Sequence, residues 1–291
     1  STFFLIPQKG NPGVSCGRES CERRASMYGI DEFSDMACEV IKNGFEVGVH
    51  GIDAWNNTEA ASQELRRLAS YMTGAETGIR MHWLYRDEDT FKVLDEAGFT
   101  YDSTFGYNDA VGYKPGTVQV FQPLETEKLL ELPLTIQDTA LFYTDRMDLS
   151  DNEALRQCYE IIEIHRMMGG VLTLLWHDRS LAPERLWGDI YIRLLKQVSD
   201  DGAWIVPACK GVQWYRKRRA VTFKKEVWRN AMVEVHATLS EGATEWYALP
   251  GLYLRVHFLR QCEGDATESR YCRSLITVPL ILNGVTHIQL Q

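Results

Sequence analysis

Over residues 1–219, short apolar runs alternate with longer stretches in which apolar residues recur every three or four positions. The runs at residues 2–6, 45–50, 78–84, 99–103, 129–136, 171–178 and 203–207 are of strand length and are bounded by Gly, Pro or charged residues. The periodic stretches predict helices from Asp31 or Ser34 to Asn43 and over residues 58–73, 89–97, 150–168, 183–199 and 212–219. In the second of these, Ala61, Leu65, Leu68, Ala69 and Met72 share one face, Glu59 suits the positive helix start, and Gly74 marks the stop. Ser150-Asp151-Asn152-Glu153 has capping-box spacing, and Gly44 and Gly98 stand where helices end. Strands alternating with helices in this way predict parallel pairing and right-handed crossovers. The expected class is α/β, an irregular (β/α) barrel of about seven strands over residues 1–219.

Beyond Ala220 the period changes to two. Residues 233–239, 252–258 and 274–281 alternate apolar and polar positions, which predicts a small antiparallel β-sandwich-like domain over residues 220–291. His236 and His257 fall on its polar phase and read as surface residues.

Composition narrows the partners. The 291 residues carry a net charge of −9, which argues against a nucleic-acid backbone as ligand. No apolar run reaches the length of a membrane span, and no basic segment followed by an apolar one marks a signal peptide, so the expected location is cytoplasmic. The cluster Arg216-Lys217-Arg218-Arg219 reads as a solvated helix end. Seven cysteines, at 16, 21, 38, 158, 209, 262 and 272, lack zinc-ribbon spacing and read as reduced thiols; Cys262 and Cys272 flank a polar loop, where pairing across a hairpin is the alternative.

Candidate chemistry gathers at strand ends, where parallel α/β folds place their sites. His50 closes the second run, His82 lies in the third, and His177-Asp178 close the sixth. Asp178, Arg179 and Glu184 crowd His177 as candidates to orient its ring, and Asp138 follows the fifth run at the same rim. The loop at residues 104–126, rich in Gly, Tyr, Asn and Pro, is a candidate binding loop.

In order, residues 1–6 (Ser-Thr-Phe-Phe-Leu-Ile), 45–50 (Phe-Glu-Val-Gly-Val-His), 78–83 (Gly-Ile-Arg-Met-His-Trp), 98–103 (Gly-Phe-Thr-Tyr-Asp-Ser), 129–134 (Leu-Leu-Glu-Leu-Pro-Leu) and 171–177 (Val-Leu-Thr-Leu-Leu-Trp-His) resemble the polysaccharide deacetylases, over roughly residues 1–215. The resemblance implies a metal-dependent hydrolase acting on the amide C–N bond of an N-acylated amino sugar or polysaccharide. It implies His50 as a metal ligand, Arg80 as the arginine that orients the base, and His177 as the general acid. The family's aspartate pair, supplying base and ligand, is expected just before Ser1. Ala54 stands where a second histidine ligand is usual, so Asp53 or His82 is the expected replacement, with Asn56 and Asn57 as further oxygen donors. The implied cofactor is a divalent ion, zinc foremost, with cobalt or nickel as alternatives. Trp83, Tyr107, Asn108, Asp138 and Trp176 are the expected carbohydrate contacts. The alternative is a non-catalytic relative that binds carbohydrate or serves as an assembly module. A paired-carboxylate glycosidase is weaker, since Glu131 lies inside its strand.

Overall fold

The computed structural model describes the chain except residues 16–20, 73, 75, 230, 231, 240–248, 263–269, 283, 290 and 291. It divides into two compact units, Ser1–Val212 and Gln213–Gln291.

In the first unit, β1 (Thr2–Leu5), β2 (Glu46–Gly51), β3 (Gly78–Met81), β4 (Tyr101–Asp102) and β5 (Leu130–Glu131) form one parallel sheet in chain order. A second parallel pair joins β6 (Ile136–Gln137) to β7 (Leu174–Leu175). The first unit's helices are α1 (Ser34–Lys42), α2 (Thr58–Leu68), α3 (Thr90–Ala97), α4 (Asp138–Phe142), α5 (Asp151–Met168) and α6 (Gly188–Asp200), and the boundary at Val212 falls within α7 (Ala208–Arg219). Asn57 caps α2 by accepting the Ala60 N–H at 2.8 Å, Ser150 and Glu153 complete the capping box of α5, and Gly98 closes α3 at φ 101°. Val47 and Val49 of β2, Ile79 and Met81 of β3, and Ala61 and Leu68 of α2 share one core. Ile136, Leu155, Cys158, Ile162, Ile190 and Leu194 form another between the β6–β7 pair and helices α5 and α6. A Cβ at Gly78 would collide with the Tyr101 ring, whose hydroxyl crosses to Glu46 at 2.8 Å, so this strand start requires glycine.

Three sequence expectations change. The run at 129–136 is not one strand: Pro133, which lacks an N–H, separates β5 from β6, and the two belong to different sheets. The run at 203–207 forms no strand; Trp204 is 45% and Ile205 54% exposed, so their apolar character does not report burial. The third run ends at Met81, leaving His82 in a 3-10 turn. Among the described residues, the ladders of the first unit form a five-stranded sheet and a separate pair, not one continuous ring.

In the second unit, β8 (Val221–Arg229), β9 (Met232–Leu239) and β12 (Gly284–Gln289) form an antiparallel sheet, and β10 (Tyr253–Cys262) pairs antiparallel with β11 (Arg270–Pro279). Val233, Val235 and Ile288 of the first sheet pack on Leu254, Val256, Ile276 and Val278 of the second. Cys262 lies opposite Arg270 and Cys272 opposite Arg260 in the backbone register; the alternative of a thiol pairing between them concerns side chains outside the described set. Among the described residues, no helix is long and apolar enough to cross a membrane.

Candidate active site

The parallel pair β6–β7 delivers Asp138 and His177 side by side just past its C-terminal ends. Asp138 is fully buried, and its two oxygens accept the His177 backbone N–H at 2.8 Å and the ring Nδ1 at 2.7 Å. Thr139 adds a third bond, from its backbone N–H at 2.7 Å. Burial alone would push the Asp138 carboxyl up, but the hydrogen bonds and charge of His177 outweigh it and hold the group below the usual carboxylate range. An ionised carboxylate only accepts, so Nδ1 carries the ring proton. Nε2, on a side chain one-third exposed, is left as a free lone pair.

On the neighbouring sheet, His50 is the penultimate residue of β2 and His82 the first residue past β3. His50 Nδ1 lies 3.0 Å from the Arg80 carbonyl, which also only accepts, so that nitrogen donates. Its Nε2 faces His82 Nδ1 at 3.0 Å, with the rings edge to face at 4.9 Å. Both imidazoles are held neutral. Burial first, then the charges of His82, His177 and Arg80, keep His50 well below its ordinary value. Burial and the Arg24 charge bring His82 down to about 4. His177 acts on both rings, which places the three imidazoles in one electrostatic neighbourhood.

With Nδ1 donating to the Arg80 carbonyl, the His50 Nε2 lone pair accepts from His82 Nδ1, so an ion reaching both rings would have to displace that hydrogen bond. Asp53 does not join them. Its carboxylate accepts the Val14 N–H at 2.6 Å and the Asn11 amide at 3.2 Å, binding the N-terminal loop to the end of β2. Ala54, four residues past His50, is sealed in the core. Among the described residues, no group of three or more His, Cys, Asp or Glu side chains is arranged to hold a metal.

Arg80 is buried, its guanidinium bonded to Ser103 through the carbonyl at 2.9 Å and the hydroxyl at 2.8 Å and stacked 4.6 Å over Phe4. Burial lowers it to about 10 against the opposing charges of Tyr101, Asp102 and Glu131. Asp102 and Glu131 sit directly opposite one another on β4 and β5, both fully buried. Asp102 Oδ2 and Glu131 Oε2 have no hydrogen-bond partner among the described residues, and burial pushes both carboxyls up, Glu131 the further. A proton held between them would satisfy both oxygens, as in other buried acid pairs.

The rim residues divide. Trp83 is 40% exposed and, with Leu84, adopts left-handed backbone at φ 61° and 54°, unusual for bulky side chains; the Asn108 amide fastens the turn through the Trp83 carbonyl at 2.8 Å. Tyr107 is exposed beside Lys114, whose ammonium lies 5.7 Å from its ring centre. Trp176 instead stacks on Tyr191 at 5.3 Å and meets Phe142 edge-on, a packing role.

Sequence reasoning missed Arg24 and Glu64. Arg24 is fully buried, donates to the carbonyls of Pro12, Val14 and Ile52, and stacks 4.2 Å from the Tyr85 ring. Glu64 accepts the backbone N–H groups of Ile52 and Asp53 and is pushed up to about 7 by burial. A basic 3-10 turn and a mid-helix glutamate carry no signal for such roles.

No family model matches the chain, and no curated protein sequence matches it. Among solved structures, a chain described as "putative polysaccharide deacetylase from Mycobacterium smegmatis" is similar at a TM-score of 0.50 and 19% identity, over 65% of this chain and 69% of that one. At that identity the likeness is one of fold: a mixed α/β arrangement with a parallel sheet, consistent with the deacetylase-like architecture expected from the residue order.

Proposed function

We propose that this chain is a deacetylase-like hydrolase cleaving the amide bond of an N-acylated amino sugar, with His177 as its proton carrier. The observation that carries this reading is the double hold of Asp138 on His177, which fixes the ring tautomer and leaves Nε2 as a base within electrostatic reach of two further imidazoles. Nε2 takes a proton from water as its oxygen adds to the acyl carbon, and the imidazolium formed is stabilised by Asp138. The same proton then passes to the departing nitrogen as the C–N bond breaks, yielding a carboxylic acid and a free amine. His50 and His82 would hold a divalent ion, which when bound polarises the acyl carbonyl and lowers the pKa of water. Arg80 is a positioning residue: its carbonyl orients His50 and its guanidinium ties β3 to Ser103 past β4. Trp83 offers an exposed ring for a sugar face.

The donor set, two imidazoles with Asp53 turned away, favours one alternative, a carbohydrate-binding relative without turnover. Acetate release from the neutral tetra-N-acetylated chitotetraose (chitotetraose below), by purified protein supplied in turn with zinc, cobalt and nickel, separates the two. Release supports the hydrolase; binding without release in every case leaves the alternative.

A further inference from the structure

Three arginines gather on one tyrosine beyond the Asp138–His177 pair. Tyr143 follows α4, the helix that begins with Asp138, and Arg179 lies two residues past His177. The Tyr143 hydroxyl accepts from Arg179 at 2.9 Å and from Arg185 at 2.7 Å. The guanidinium carbons of Arg146 and Arg185 each lie 5.0 Å from its ring centre. Arg146 reaches back to Thr139, the residue after Asp138, at 2.6 Å.

None of these arginines forms an ion pair among the described residues, although Asp145, Asp148, Asp178 and Glu184 are close in sequence. Arg185 Nη1 is buried without a hydrogen-bond partner among the described residues. A phenol oxygen satisfies two N–H groups but supplies no countercharge, so gathered cations repel one another until an anion joins them. Guanidinium forks are matched to carboxylate, sulfate and phosphate oxygens. In a chain of net charge −9, three guanidinium groups that share one phenol and form no ion pair among the described residues present donors fit for an oxyanion.

We propose that Arg146, Arg179 and Arg185, assembled on Tyr143 beside His177, form an oxyanion subsite, and that the glycan bound here carries a carboxylate or another oxyanion next to its acylated sugar. The inference rests on the hydrolase reading for the glycan itself, and it adds the charge of that glycan.

Calorimetric titration of the full chain with hyaluronan tetrasaccharide, which alternates a uronate with N-acetylglucosamine, against neutral chitotetraose tests it. A sulfated and a phosphorylated N-acetylglucosamine oligosaccharide serve as the other oxyanion arms. At low salt an acidic saccharide is expected to bind on the order of tenfold tighter than the neutral one, with the advantage shrinking at high salt. Arg185→Gln is expected to remove it. Arg179→Gln, at an exposed position whose loss spares the fold, is expected to remove most of it while leaving chitotetraose affinity unchanged. Equal affinity of neutral and acidic saccharides, or an acidic preference surviving both substitutions, overturns the subsite and leaves the hydrolase reading standing. Binding of no saccharide at all overturns both.

Discussion

The carboxylate of Asp138 accepts from both the backbone N–H and the ring Nδ1 of His177, at 2.8 and 2.7 Å, so one buried residue fixes the position and the protonation pattern of the other. A carboxamide can accept the backbone N–H but cannot accept at both contacts. Asp138→Asn is therefore expected to favour the wrong ring tautomer and lower kcat on the order of 10³-fold, with KM changed little. Steady-state kinetics checks this, with circular dichroism to confirm an intact fold.

His82 is neutral in the folded chain down to about pH 4, whereas an unfolded histidine titrates near 6.5. Its contribution to stability is thus fully present above pH 6.5 and is lost as pH falls toward 4. Relative to wild type, His82→Gln is expected to flatten the stability profile across that window, by up to about 1.4 kcal/mol per pH unit where the slope is steepest. Urea midpoints measured from pH 4 to 7 give the difference directly.

The buried Asp102–Glu131 pair has the opposite sign. Both pKa values are raised, so the pair's contribution is present below the ordinary carboxylate range and is lost as pH rises through the folded values. Glu131→Gln keeps a donor toward Asp102 and an acceptor for Phe105, and is expected to stay within about 1 kcal/mol of wild type at pH 7. Glu131→Ala leaves a cavity and an unpaired buried carboxylate, and is expected to cost about 2–4 kcal/mol by chemical denaturation.

Trp83 holds a backbone conformation that glycine adopts without strain. Trp83→Gly relieves that strain but gives up a ring that is only 40% exposed and meets Tyr85 edge-on, so it is expected to lower stability by about 1 kcal/mol. The same change is expected to weaken chitotetraose binding roughly three- to tenfold, since an exposed aromatic platform is lost. Thermal unfolding and calorimetric titration separate the two effects.

Much of the fold is legible in the sequence because its punctuation is chemical. Gly98 and the Ser150–Glu153 box end or start helices where their dihedrals and side-chain bonds require, and the runs before His50 and His177 are apolar because the strands are packed by helices. What periodicity cannot carry is contact across long loops. The Asp102–Glu131 pairing depends on the register of β4 against β5, whose connection is the loop expected to bind ligand. The arginines on Tyr143 come from three separate turns; Arg179 reads from sequence as a neighbour of His177, but no periodicity gathers Arg146 and Arg185 beside it. Pro133 was legible as a residue, but its division of one apparent strand between two sheets was not. Asp53 illustrates the reverse limit: its position after a strand suggests a ligand, and only the N-terminal loop folded over it shows where its oxygens go.

The central claim is that His177 moves the proton in amide hydrolysis. The most direct measurement is the rate of acetate release from chitotetraose by His177→Ala against wild type, under the same metal and pH. A fall in kcat of at least about 100-fold with KM changed less than about threefold is the expected result. A kcat within about twofold of wild type would contradict the assignment, because no step that depends on a positioned imidazole survives its removal at full rate.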